Sequence, residues 1–174
     1  DTWATALTIA SIIRKLGESF DLILVGKHAV DGDTAQVGPE LAECLGMPQI
    51  TYGIGLEIAD AGKRKRVLVR RETEKGYELL RMQLPGLVTV SKGATIRQVC
   101  SLQAVLEART KDITTMTADD LDLEPDELGL TGSLTQVVKI FPPSVKTEGV
   151  TINGADADQA ADQLLGFLKE QSFV

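Results

Sequence analysis

Apolar residues recur at helical spacing from Trp3 through Ala6, Leu7, Ala10, Ile13 and Leu16, which predicts a first helix. Asp1 or Thr2 can cap it, and Gly17 supplies the usual C-terminal stop. Leu22-Ile23-Leu24-Val25 is then a continuous apolar run, the kind buried on both faces of a parallel sheet, and it stops at Gly26. Gln36 to Leu45 predicts a second helix with Val37, Leu41 and Leu45 on one side, closed by Gly46 and followed by Pro48. Gln49 to Tyr52 restarts as a strand. From Gly53 the period shortens to two: Gly53 to Ala59 and Arg66 to Arg71 alternate, with turn chemistry at Asp60-Ala61-Gly62-Lys63. Arg66 to Glu72 and Tyr77 to Leu84 predict a β-hairpin across Thr73-Glu74-Lys75-Gly76, and Leu87 to Val90 a short buried strand.

The second half is weaker in pattern. Leu102 to Thr110 predicts a short helix, Ile113 to Met116 an extended segment, and Ala118 to Leu121 an acidic turn or helical start. Leu128 to Ser133 reads as a flexible polar stretch, and Gln136 to Phe141 as a strand stopped by Pro142-Pro143. Ser144 to Gly149 is linker-like. Asp156 to Glu170 predicts an amphipathic helix carrying Ala157, Ala160, Ala161, Leu164, Leu165 and Leu168. The order implies an α/β domain over residues 1–141 and a linker with a C-terminal helical arm over 142–174. A parallel sheet whose first visible strand follows a helix normally has an earlier βα unit, so the domain is expected to be N-terminally incomplete.

Charge and composition narrow the classes. Twenty-five acidic against 18 basic residues leave a net charge of −7, which argues against a nucleic-acid surface. No apolar run approaches the roughly 20 residues that span a bilayer, and no signal-peptide pattern appears, so a cytoplasmic protein is expected. Cys44 and Cys100 lack CxxC spacing and read as reduced thiols, with a disulfide as the other reading. His28 is the only histidine, which leaves little material for a metal site or a catalytic triad; neither is predicted. The basic run Lys63-Arg64-Lys65-Arg66 is either a solvated, guarded sheet edge or a surface for an acidic partner.

Candidate chemistry concentrates between Val25 and Pro39. A strand, a polar loop carrying Asp31-Gly32-Asp33-Thr34 and a helix N-terminus can bind phosphate through loop and helix N–H groups, reinforced by the helix dipole. Gly32 allows close backbone approach, and Thr34 can cap the helix or donate a hydroxyl to an anion. The string ends in no Gly-Lys-Ser/Thr and contains no GxGxxG, so pattern alone leaves a plain strand-to-helix connection equally open.

Asp31-Gly32-Asp33-Thr34-Ala35-Gln36-Val37-Gly38-Pro39 closely resembles the adenine-nucleotide loop of electron transfer flavoprotein β subunits, in the version of the electron-bifurcating branch. Gly76-Tyr77-Glu78, Leu84-Pro85-Gly86-Leu87-Val88-Thr89-Val90 and Gly129 to Val137 are similar to further segments of that family, with Leu134 where Pro is usual, and Asp1-Thr2 matches its D-T helix start. The resemblance implies an adenine-nucleotide α-hydrolase-like (Rossmann-like) sheet with an added hairpin and a C-terminal arm reaching toward an α subunit. It implies cofactor contacts at Asp1, Thr2, Gly26, Asp31, Gly32, Asp33, Thr34, Ala35, Gln36, Val37 and Gly38. The bound group would be FAD in the bifurcating branch and structural AMP in the ordinary one. Gly129, Gly132, Thr131, Ser133 and Thr135 would leave room for, or hydrogen-bond, the longer ligand.

The family's partner-recognition loop falls between Ala94 and Lys111, with Leu102 at its anchoring leucine position and Arg109 keeping positive charge. Gln98, Cys100 and Glu107 depart from the family pattern there, which puts partner choice in doubt. Implied partners are the α subunit, acyl-CoA-type or related dehydrogenases and, with bifurcation, NADH as donor and ferredoxin or flavodoxin as an acceptor. The subunit would be an electron carrier, NADH-oxidising only in the bifurcating case. Two rivals stand beside it: a nucleotide-binding module resembling universal stress proteins, and an interaction subunit without ligand.

Overall fold

The computed structural model describes residues 1–61, 64–95, 98–143, 149–154 and 156–173. Helix α1 spans Thr2–Lys15, with the Asp1 carboxylate accepting from the Ala4 N–H at 3.1 Å and Gly17 in the left-handed region beyond its end. Strand β1 (Leu22–Gly26), helix α2 (Val37–Leu45), strands β2 (Gln49–Ala61), β3 (Arg64–Thr73), β4 (Gly76–Gln83) and β5 (Gly86–Val90) follow. They form a mixed sheet ordered β1-β5-β2-β3-β4. Strand β5 runs parallel to β1, pairing Leu22 with Gly86 through Gly26 with Val90, and parallel to the start of β2. The β2–β3–β4 ribbon is antiparallel and closes at Thr73↔Gly76, where the turn residues place it. The α/β class and the hairpin expected from the sequence are therefore present.

Alternation along β5 divides the core. Leu87 faces α1 and α2, completing a cluster with Ala6, Ala10, Leu41 and Ala42. Val88 faces the other way and packs with Ile50, Val67, Val69 and Met82 of the ribbon. Alanines at the α1 contact bring the two helices close, and a fully buried leucine such as Leu41 gains about 2 kcal/mol from leaving water. Strand β1 has a described neighbour on one side only, and its Leu24 is 56 % exposed.

Strand β2 is longer than the sequence suggested: the expected strand at Gln49–Tyr52 and the alternating stretch after it are one element of 13 residues, broken by register shifts between Ile50 and Gly53 and between Gly53 and Gly55. The proposed turn at Asp60–Lys63 lies partly outside the described residues, which exclude Gly62 and Lys63. Of the basic run, Lys65 pairs with Asp21 at 2.8 Å.

Beyond β5, helix α3 (Leu102–Arg109) begins at Ser101, whose hydroxyl accepts from the Ala104 N–H. Two 3₁₀ turns, Ala118–Asp120 and Pro125–Glu127, are held by carboxylates reaching back: the Thr117 N–H and hydroxyl both donate to Asp120 Oδ2, at 2.7 and 2.9 Å. Those donations, the backbone one first, hold the Asp120 carboxyl below its ordinary range.

Ile113–Met116, expected to be extended, joins no sheet among the described residues. The strand expected at Gln136–Phe141 does not form: the segment carries no ladder, and Val137, Val138, Ile140 and Phe141 are exposed. An apolar run becomes a strand only beside a backbone that can accept its hydrogen bonds, and none of the described residues supplies one. The chain divides into two compact units, Asp1–Gln136 and Val137–Val174. The second contains helix α4 (Ala157–Glu170), capped by Asp156, while Ser144 to Glu148 of the expected linker lie outside the described residues.

Candidate functional site at the carboxyl edge of the sheet

Gly38 at the start of α2 lies against Val25 and Thr89, and the Thr2 hydroxyl at the start of α1 reaches Glu40, so both helix N-termini lie at the edge where β1 and β5 end. This is the edge at which open α/β sheets bind ligands. Here the loop Lys27–Gln36 connects β1 to α2. The Asp33 N–H donates to the Ala29 carbonyl at 3.0 Å, and Asp33 Oδ1 lies 3.1 Å from His28 Nε2. Asp33 and Ala35 adopt left-handed φ of 51° and 56°. Gly32, expected to allow close backbone approach, does not take a positive φ. A Cβ added there meets nothing within 4 Å, so its contribution is open space in front of the loop.

Thr34 does not cap α2. The N-cap is Gln36 and the helix starts at Val37, one residue inside the expected start, and among the described residues no side chain caps its first N–H groups. Those donors, with the positive end of the helix dipole, face the loop. Gly38 lies against the sheet: a Cβ there would collide with the Thr89 methyl and come within 3.1 Å of Val25 Cγ2. Its smallness seats the helix start on the strand ends. Glu40 in the first turn accepts from the Thr2 hydroxyl at 3.2 Å through Oε1, while its Oε2 is buried with no partner among the described residues.

Side-chain bonds join segments far apart in sequence. Thr2 Oγ1 donates to Gln36 Oε1 at 3.3 Å, tying α1 to the loop. Asp1 Oδ2 accepts from both the N–H and the hydroxyl of Thr135, at 3.0 and 3.2 Å. Asp1, Thr2, Gln36 and the Gly129–Gln136 stretch are thus brought to one place. Not every residue in that stretch is free for a ligand. A Cβ on Gly132 would overlap the Glu127 backbone, Gly129 takes a left-handed φ, and the Ser133 hydroxyl donates to the Gly129 carbonyl. At Gly132 the missing side chain makes room for the Glu127 backbone, whereas a Cβ on Gly129 would meet nothing within 4 Å. Leu102 and Arg109 lie on α3, with Leu102 76 % exposed and Leu106 also exposed on the same side. Arg97, in the same expected loop, lies outside the described residues.

Two clefts adjoin the loop, and most of their lining was not anticipated. One, of ≈ 610 Å³, is bounded by Gly26, Lys27, His28, Glu72, Ser91 and Lys92. The other, of ≈ 530 Å³, continues past Lys27 to Tyr52, Arg71 and Glu78. Tyr52 sits in the β2 irregularity at φ 60°, with its N–H donating to the Thr89 hydroxyl at 2.9 Å. Its ring lies 4.8 Å from the Lys27 ammonium, which also approaches Glu72 at 3.9 Å. Lys27 and Ser91-Lys92 directly follow the ends of two parallel strands, a position that flags ligand contact in this sheet class; the bulge that aims Tyr52 leaves no such signal. Uncapped N–H groups at the α2 start and open space at Gly26 and Gly32 fit a nucleotide's phosphates. Among the described residues no group of three or more Cys, His, Asp or Glu is arranged to hold a metal, and no helix is long and apolar enough to cross a membrane. Cys44 and Cys100 are free thiols, and burial pushes the Cys44 thiol up.

Comparison with known proteins places these features in context. The model of the electron transfer flavoprotein domain matches residues 1–121. The caffeyl-CoA reductase-Etf complex subunit CarD of Acetobacterium woodii is 38 % identical over 174 residues, covering 100 % of this chain and 64 % of its own length. The electron transfer flavoprotein subunit beta of Clostridium acetobutylicum is 39 % identical with the same two coverages. Protein FixA of Rhizobium meliloti is 40 % identical over 152 residues, 85 % of this chain and 52 % of its own. The chain thus spans a little under two thirds of the first two relatives.

Proposed function

Because the chain belongs to the electron transfer flavoprotein family, we infer that it is part of a β-type subunit that binds FAD at the carboxyl edge of its sheet and works as a heterodimer with an α subunit. The observation that carries this reading is the convergence of the uncapped α2 N-terminus with Asp1, Thr2 and Thr135, which draws the two resembling strings to one site. Flavin, when bound, supplies the one- and two-electron chemistry; this chain's residues bind and orient. The N–H groups of Val37 and Gly38 and the loop N–H groups face the diphosphate. Asp33, anchored by His28, fixes the loop's shape or takes a ribose hydroxyl, because a carboxylate beside phosphate is repelled.

Electrons pass between the flavin and docked dehydrogenases. The exposed row of Leu102, Leu106 and Arg109 on α3 is the surface that meets an acyl-CoA-type or related partner. CarD belongs by name to a caffeyl-CoA reductase-Etf complex, which favours the bifurcating form, with NADH as donor and ferredoxin or flavodoxin as low-potential acceptor. The cytoplasm is the compartment consistent with such partners.

A specific observation supports a second reading. Ser133 and Gly132 are committed to their own turn, so the Gly129–Gln136 stretch offers a long ligand less than its composition implied, as an AMP site would need. The deciding experiment is nucleotide analysis of the complete purified heterodimer, followed by anaerobic titration with NADH. Two FAD per heterodimer, both bleached, is the expected result. One FAD with one AMP overturns the bifurcating reading and leaves a single-flavin carrier. Bound nucleotide without any flavin would point instead to a universal-stress-like module.

A further inference from the structure

The Ser91 hydroxyl is one of three buried side-chain atoms without a hydrogen-bond partner among the described residues, beside Glu40 Oε2 and Arg71 Nε. Ser91 is 5 % exposed, its N–H donates to the Gly53 carbonyl and its carbonyl accepts from Ala94, yet Oγ is buried with no partner among the described residues. A buried hydroxyl left unpaired costs free energy that no contact within the described residues recovers. Ser91 lines the ≈ 610 Å³ cleft beside the phosphate loop, together with two ammonium groups. Lys92 makes no ion pair among the described residues, and Lys27 has only the long approach to Glu72. Two lysines against one carboxylate give the cleft a positive balance, with the His28 ring at its rim.

The position of Lys27 is built into the fold. The Thr89 methyl lies where a Cβ on Gly38 would stand, and its hydroxyl holds the Tyr52 N–H in the β2 bulge. The Tyr52 ring in turn lies under the Lys27 ammonium. One threonine therefore braces both the helix N-terminus facing the phosphates and the aromatic seat of the lysine. Fixed spacing between a phosphate-binding end and a cationic end suits a ligand long enough to reach both.

We propose that the cleft of Ser91, Lys27 and Lys92 is a separate subsite that holds the polar, electron-accepting part of the nucleotide beyond its diphosphate, with the Ser91 hydroxyl bonding it and the lysines compensating its charge. The proposal rests on the nucleotide reading above and adds residues that the phosphate loop does not contain. A part that becomes negative on reduction is held more tightly in its reduced form by a nearby ammonium.

The test uses the complete heterodimer with this subunit's nucleotide washed out, titrated separately with ADP and with FAD. Lys27→Met and Ser91→Ala should leave ADP affinity within about twofold while weakening FAD about three- to tenfold, the worth of one hydrogen bond. Lys27→Met should also lower the reduction potential of the flavin bound here, with Lys27→Arg restoring it. Ser91→Ala removes a hydroxyl that bonds nothing in the described residues, so its melting temperature should not fall. Equal weakening of ADP and FAD would assign these side chains to the phosphates and overturn the proposal. Unchanged FAD affinity in both variants would overturn it too. If the unsubstituted heterodimer takes up neither ADP nor FAD at this subunit, the nucleotide reading fails, and this subsite falls with it.

Discussion

Residues 1–91 and the segment that follows them are built on different principles. Every buried residue among those described lies at or before Ser91. Up to that point, structure follows from burial: two apolar clusters share β5, one face of the strand serving each. Afterwards it follows from short-range caps. Ser101 starts α3, and Asp120 and Glu127 each close their own turn, while Leu102, Ile113, Leu130 and Leu134 stay exposed. Hydrogen bonds from Thr135 to Asp1 tie this segment to the start of α1. Burial makes a scaffold stiff enough to fix a binding edge. Local capping makes a surface that keeps its apolar residues for something else to cover.

Leucine tests the contrast most directly. Leu41→Ala removes a side chain with 0 % exposure, and we expect a loss of about 2–5 kcal/mol in the denaturant unfolding of the protein. A loss below about 1 kcal/mol would mean that the helix layer yields, and the two regions differ less than described. Asp1→Ala removes both the α1 cap and the acceptor for Thr135. A cap is worth about 0.5–2 kcal/mol, and amide exchange across Gly129–Gln136 should accelerate more than that in α2.

Leu102→Ala, in contrast, should change stability by no more than about 0.5 kcal/mol while slowing electron transfer to the docked dehydrogenase; a large drop in melting temperature with normal kinetics would move Leu102 into a core. The smallest effect belongs to Asp120. Its carboxyl is held below its ordinary range in the folded state, so its stabilisation is present above the unfolded value and lost as pH falls through the folded one. Acidification through that window should loosen the Thr117 amide, and Asp120→Asn should abolish the pH dependence without moving the global unfolding midpoint.

What the sequence made legible follows the same division. Periodicity located α1, β1, α2 and the hairpin, because burial imposes a period. It mislocated the α2 cap, since Thr34 has the right chemistry but the backbone enters the helix at Gln36 instead. It read Gln136–Phe141 as a strand because β-branched residues signal a pleated surface, whereas pairing depends on a neighbour that local pattern cannot supply. In the site, the loop string was recognisable. Lys27, Tyr52 and Ser91 were not singled out, since their roles arise from a bulge and a strand order that join residues 25 to 64 positions apart. Gly38 was read as part of a loop for phosphate. Its closest constraint is the Thr89 methyl.

The left-handed backbone at Asp33 and Ala35 has a consequence for kinetics. Side chains with a Cβ disfavour that region by about 1–2 kcal/mol per residue, least for Asp, so the folded protein maintains this loop shape before any ligand arrives. A loop already ordered surrenders little conformational freedom on capture, and release then requires breaking contacts rather than waiting for a flexible segment to open. Replacing Ala35 with glycine would relieve the strain and let the loop sample other shapes. The protein would gain stability, and its nucleotide would leave sooner.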